Sequence, residues 1–378
     1  MAETTDDKKK TKKGTVDMSK LFESLRIGNL ELENRIVYSP MTRSRANDEG
    51  VQPDYVAEYY AQRASAGLII TEATNISAMA KGYVRTPGVY TKEQIEAWRG
   101  VTEAVHTKGG KIFMQIFHTG RIALPDLLPE GAEKPVAPSA IRAKGQNYTD
   151  DGMKDFVEPK ELTREEIKSI VGDFATAAKN AIDAGFDGVE LHGANGYLVH
   201  QFLGTNTNLR VDEYGGSDEK RARFLLEVVD AISAEIGPGK LGVKLSPTVP
   251  FNDMRDDNAT EFYPYVVSKL NDRDLAYLHI GLEEDATDTS VDWLTFLRSS
   301  FNGVYFANGG FDRESGSKLL EENGADAIVY GKLFLANPDL PKRFRKQAAL
   351  NTWDTSTFYS PGEKGYTDYP TLEEGRSV

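Results

Sequence analysis

The chain has 378 residues, 39% of them hydrophobic, and its 45 basic against 58 acidic side chains leave a formal net charge of −13. That balance argues against nucleic acid as a partner, and no stretch approaches the ~18 consecutive apolar residues of a membrane span. Cysteine is absent, which removes disulfides, thiolate metal sites and a cysteine nucleophile together, and the five histidines show no metal-ligand spacing, so no metal is expected.

Residues 1–18 carry the Lys8–Lys13 run without apolar periodicity and read as a disordered, solvated tail. The tail has neither a signal-peptide apolar region nor a transit-peptide composition, so a cytoplasmic protein is expected. Residues 19–350 read as a single unit in which short β-branched runs alternate with helical patterns. Strands are predicted at Arg35–Ser39, Gly67–Glu72, Lys111–Phe117, Gly188–His192, Leu241–Leu245, Leu275–Ile280, Gly303–Ala307 and Asp326–Tyr330. Helical patterns between them include Tyr55–Ser65, Lys92–His106, Thr163–Ala184, Glu219–Ile236 and Arg313–Asn323. Thr91 with Gln94, and Thr163 with Glu166, fit the capping box, while Gly67, Gly109, Gly185, Gly237 and Gly324 sit where helices close. Eight βα units favour a TIM (β/α)8 barrel over a doubly wound sheet. Residues 118–161 form a Pro- and Gly-rich connection after the third strand, long enough for a capping segment. Residues 351–378 are an aromatic tail expected to pack near the barrel mouth.

Chemistry in such a barrel gathers where the strands end. The fourth predicted strand runs into His192, Asn195 and Tyr197. A neutral imidazole and a carboxamide both donate hydrogen bonds to a carbonyl oxygen, and a phenol delivers a proton nearby. Gly309, Gly310 and Gly331 follow the seventh and eighth strands and, with Lys332, predict a phosphate site. Gln115 and Lys244, on the third and fifth strands, would face a polar ring. The set suits a flat, phosphorylated heterocycle better than a sugar phosphate.

Specific motifs carry a resemblance: Leu-Glu-Asn-Arg-Ile-Val-Tyr-Ser-Pro-Met-Thr-Arg (32–43), His-Gly-Ala-Asn-Gly-Tyr-Leu (192–198), Asn-x-Arg-x-Asp-x-Tyr-Gly-Gly-Ser (208–217), Ala-Asn-Gly-Gly-Phe-Asp (307–312) and Gly-Tyr-Thr-Asp-Tyr-Pro (365–370). Over residues 19–372 the chain resembles the Old Yellow Enzyme family of FMN-dependent ene reductases, the 12-oxophytodienoate reductases among them. The resemblance implies a TIM barrel with FMN at its mouth, reduced by NADPH or NADH in a ping-pong cycle. His192 and Asn195 would hold the carbonyl oxygen of an α,β-unsaturated substrate, and Tyr197 would protonate its α-carbon. Pro40, Met41, Thr42, Ala73, Gln115 and Lys244 would contact the flavin ring, and Gly309, Gly310, Gly331 and Lys332 its phosphate. Tyr83, Phe117 and Tyr366 would line the substrate pocket of a monomer or homodimer. The family usually has Arg at Lys244 and Lys332, and several members have Trp at Phe117. Three other readings stay open: a relative specialised for oxylipins or for nitro compounds and nitrate esters, a flavin-free barrel lyase or isomerase, and a non-catalytic flavin-binding protein.

Overall fold

The computed structural model describes residues 19–247, 250–282 and 290–372; the Lys-rich tail and the last six residues lie outside them. Eight parallel strands form a closed ring: β1 (Ile36–Tyr38), β2 (Leu68–Ile70), β3 (Ile112–Phe117), β4 (Gly188–Gly193), β5 (Leu241–Leu245), β6 (Tyr277–Gly281), β7 (Tyr305–Asn308) and β8 (Ala327–Tyr330). Each strand pairs with its sequence neighbours, and β8 returns to β1 to close the barrel. Every predicted strand is present, shifted by at most two residues at either end.

The alternation of side chains along each strand divides the barrel into an inside and an outside. Ile36, Ile69, Ile112, Met114, Val189, Leu191, Val243 and Ile328 point outward into the large core shared with the helices. Val37, Leu68, Ile70, Phe113, Tyr277, Phe306, Ala327 and Val329 point inward and pack together. A short antiparallel hairpin, Leu25–Ile27 with Leu30–Leu32, adds Ile27 and Leu32 to that inner cluster. One step further along the strands the same inward register turns polar, at Gln115, Glu190, His192, Lys244 and His279. The apolar layer is thus a floor beneath a polar one.

The helical ring includes α1 (Tyr55–Gln62), α2 (Lys92–Thr107), α3 (Arg164–Asp183), α4 (Leu198–Leu203), α5 (Asp218–Ile236), α6 (Ala259–Asn271), α7 (Trp293–Arg298), α8 (Arg313–Glu321), α9 (Lys332–Ala336) and α10 (Leu340–Lys346). Both predicted capping boxes form, Thr91 with Gln94 and Thr163 with Glu166. Gly109, Gly185 and Gly237 take the left-handed conformation after their helices. After α8 that position belongs to Asn323 (φ 59°) rather than Gly324, and Gly67 lies against the Asn34 backbone beyond the end of α1. Helices α4 and α9 are too short to show a period in the sequence, and Pro264 interrupts the pattern of α6.

Residues 118–161 are not structureless: they hold an antiparallel hairpin, Gln146–Thr149 with Gly152–Asp155, and contribute Val136–Ala137 to a short parallel pair with Lys160–Glu161. The C-terminal tail is stapled to the loop after β1 by two buried arginines. Arg43 donates to the carbonyls of Phe358 and Gly365 and to the Tyr59 hydroxyl, and Arg45 donates to the carbonyls of Thr357, Phe358, Gly362 and Lys364. Replacing Arg43 with Ala leaves the Gly365 carbonyl and the Tyr59 hydroxyl without that donor. A loss of about 3 kcal/mol is expected, from ~1–3 kcal/mol per orphaned buried group. Urea unfolding and limited proteolysis of the tail measure it; a wild-type midpoint with a protected tail contradicts it.

Candidate active site

The turn after β4 is built to present three side chains. Asn195 (φ 56°) and Gly196 (φ 75°) are both left-handed, a pair of conformations that Asn and Gly tolerate best. A Cβ on Gly196 would lie 2.6 Å from that of Asn252, so glycine is required there. The Asn195 amide donates to Ser246 Oγ (2.9 Å), and its carbonyl accepts from Asn252 Nδ2 (2.8 Å). The Gly196 amide donates to His200 Nδ1 (3.0 Å), whose other ring nitrogen meets the Tyr263 hydroxyl (3.0 Å). Backbone and buried side chains therefore fix the turn, leaving the Asn195 side-chain carboxamide for other partners.

His192 and Tyr197 meet edge to face, ring centres 4.9 Å apart, and Phe117 packs against both. Ala73 joins Phe117 and Tyr197 in the same small cluster. His192 Nδ1 is buried without a hydrogen-bond partner. Burial, helped by the ammonium of Lys244, holds the imidazole pKa well below its usual value, so the ring is neutral. The Tyr197 hydroxyl donates to Tyr83 Oη at 3.1 Å. Burial, then the neighbouring Tyr83, pushes its pKa well above 10, so the phenol keeps its proton.

Beneath them, Gln115 Nε2 donates to Glu190 Oε1 (2.7 Å), and Glu190 Oε2 meets His279 Nδ1 (2.9 Å). Lys244 stands beside His192 in the strand register, almost wholly buried. Burial lowers its pKa, and the Glu190 carboxylate pushes the other way. Glu190 and His279 escaped the sequence reading. The signal was there: Glu190 is a charge in an apolar strand, spaced by two from His192.

Two cavities open on either side of the loop after β1. One, of about 640 Å³, is lined by Thr42, Tyr83, Tyr197, Phe251 and Tyr359. The other, of about 400 Å³, is lined by Met41, Asn308, Gly309, Gly310, Gly331 and Lys332. Consecutive residues Met41 and Thr42 thus face different cavities, with Pro40 just before them. The glycines keep the second cavity open: a Cβ on Gly331 would sit 3.2 Å from Met41 Sδ, and one on Gly309 3.4 Å from the Leu282 Cβ. A glycine-walled cavity with a lysine suits a phosphate, and the buried, charged Lys244 with the polar inner layer suits the electron-rich edge of a ring. The residues fit a flat phosphorylated cofactor such as FMN.

Tyr366 requires a correction. It is fully buried and stacks on Tyr59 (3.8 Å, 4°) beneath Arg43 and Arg45, so it supports the tail instead of lining the pocket. Turns at Gly362 and Gly365 separate it from Tyr359, which does line the 640 Å³ cavity. Two tyrosines in one irregular tail offer no period by which sequence distinguishes them.

Residues 20–351 match the NADH:flavin oxidoreductase / NADH oxidase family. The chain belongs to this family. It is an Old Yellow Enzyme-type flavoprotein, an FMN-dependent NAD(P)H ene reductase. It is 46% identical over 362 residues to 12-oxophytodienoate reductase 1 of Oryza sativa subsp. japonica, covering 94% of this chain and 93% of that one. It is 43% identical to a probable flavin mononucleotide-dependent alkene reductase of Leishmania infantum, covering 93% and 97%. Morphinone reductase in complex with tetrahydroNAD superimposes with a TM-score of 0.89 at 45% identity, covering 95% of this chain and 99% of that one. Among the described residues this Old Yellow Enzyme relative has no cluster of His, Asp or Glu able to hold a metal, and no helix long and apolar enough to cross a membrane.

Proposed function

We propose that this ene reductase works through His192, Asn195 and Tyr197 on the alkene, with Phe117, Tyr83 and Tyr359 shaping the pocket. The observation that carries the assignment is the pairing of a buried, unsatisfied and neutral imidazole with a phenol 4.9 Å away, ring to ring. FMN, reduced by NADPH or NADH, supplies the hydride. Pro40, Met41, Thr42, Ala73, Gln115 and Lys244 would hold its ring, and Gly309, Gly310, Gly331 and Lys332 its phosphate.

His192 and Asn195 donate to the carbonyl oxygen of the substrate, drawing electron density from the β-carbon and stabilising the enolate oxygen that follows. Both donors are fixed before substrate arrives, because the turn is braced by Ser246, Asn252 and His200. Tyr197 then delivers its proton from Oη to the α-carbon. A high phenol pKa is no obstacle, since a carbanion is a far stronger base than a phenolate. Tyr83 accepts the hydrogen bond of the same hydroxyl and so steadies the phenol in its protonated form. Phe117 packs against both rings and holds them in place.

The protonation states give a pH profile. His192 loses its proton well below the ordinary histidine range and Tyr197 keeps its own well above the tyrosine range. Neither group therefore titrates between about pH 6.5 and 10. Steady-state assays with NADPH and cyclohexenone should give parallel double-reciprocal lines and no ionisation from these residues in that window. Intersecting lines would contradict the two-stage cycle, and a limb abolished by Tyr197→Phe would contradict the raised pKa of that phenol.

A further inference from the structure

Arg85 is the one charged side chain among the described residues that line the 640 Å³ cavity, in a protein of net charge −13. It stands two residues from Tyr83, the partner of Tyr197. Its backbone is left-handed (φ 52°), a conformation unfavourable for a long side chain, and is pinned by the hydrogen bond from the Ala46 amide to its carbonyl. Its Nε is buried without a hydrogen-bond partner. The guanidinium makes one long contact, 3.3 Å from Nη1 to Asp150, a carboxylate that is 72% exposed in the turn of the Gln146–Asp155 hairpin. Such a pair is held weakly against solvent. A guanidinium held by one exposed carboxylate, at the side of a cavity whose other described lining residues are uncharged and include Tyr83, Val84, Tyr148, Met153 and Phe251, is a partial site for a planar anion. The cavity is also of drug-ligand size, much larger than one small ring.

We infer that Arg85 selects activated alkenes carrying a carboxylate on an apolar arm, binding the carboxylate while the C=C bond lies at His192, Asn195 and Tyr197. This inference rests on the ene-reductase reading above. Asp150 is the internal competitor for the guanidinium, so the selectivity weakens as salt rises.

The test uses a matched pair, 6-maleimidohexanoic acid and its methyl ester, suitable because the chain has no cysteine for a maleimide to alkylate. The wild-type enzyme is expected to prefer the acid by about tenfold in kcat/KM at low ionic strength, the size of one partly exposed charge-assisted contact. Arg85→Gln should bring the ratio to about one, Arg85→Lys should keep part of it, and Asp150→Asn should raise it. Titration of the flavin absorbance with the saturated analogue, 6-succinimidohexanoic acid, should show the same order in dissociation constants. A ratio near one in the wild type, or a preference that survives Arg85→Gln, overturns the inference while leaving the ene-reductase reading intact. A ratio near one with Arg85→Gln slowing flavin reduction by NADPH also overturns it, assigning the guanidinium to the nucleotide. Reduction of neither maleimide removes the ene-reductase reading, and this inference with it.

Discussion

Tyr197→Phe is expected to lower saturation of cyclohexenone by about 10²–10³-fold, within the range for loss of a positioned general acid. Flavin reduction by NADPH should survive. The phenylalanine ring keeps the contacts with Phe117, His192 and Tyr83, so the packing changes little and only the proton is removed. Nitroalkenes, whose reduced form is a stabilised anion that water can protonate later, should lose much less. Rapid mixing separates the two halves: the bleaching rate with NADPH against the return of colour with enone. Equal slowing of both would show that Tyr197 acts on the shape of the site instead of on the proton.

The second large effect belongs to the oxygen clamp. His192→Ala and Asn195→Ala should each lower kcat/KM for cyclohexenone by about 10²–10³-fold, the usual result of removing one donor from a developing oxyanion. Their double variant should fall short of the product, because the remaining donor alone holds the oxygen poorly. His192→Gln returns a donor near the same place and should recover part of the rate, whereas Asn195→Asp replaces a donor with an acceptor and should recover none. Full activity in either Ala variant would remove the clamp from the mechanism.

Much of this was legible in the sequence, for reasons particular residues make plain. Parallel strands buried on both faces write themselves as apolar runs, so all eight barrel strands were visible. The capping boxes at Thr91 and Thr163 are local chemistry and were equally readable. The His192–Tyr197 turn could be recognised because its special backbone needs Asn195 and Gly196, and a short polar motif records that need. What stayed hidden was set by distance along the chain. Glu190 meets His279 across 89 residues, and Asn252 braces Asn195 across 57. No local pattern announces such pairs. The tail shows the same limit: Tyr359 and Tyr366 are exchangeable on paper, and only the turns between them send one into the cavity and the other beneath Arg43.

At Lys244 and Lys332 the family resemblance leads one to expect arginine. In the proposed flavin contact Lys244 would offer a point charge in place of a planar fork, and Glu190 is the buried carboxylate that favours its charged form. The neutral imidazole of His192 follows from the same arrangement, since the nearby ammonium opposes a second positive charge.

Whether one site takes hydride from a nicotinamide and gives it to an activated alkene is best tested by anaerobic mixing. FMN-loaded protein is first titrated with NADPH and then with cyclohexenone, following flavin absorbance and the saturated ketone formed. The yellow colour should bleach with NADPH and return with the enone, one cyclohexanone appearing per flavin reoxidised. Bleaching that only oxygen reverses, with no cyclohexanone formed, would contradict it.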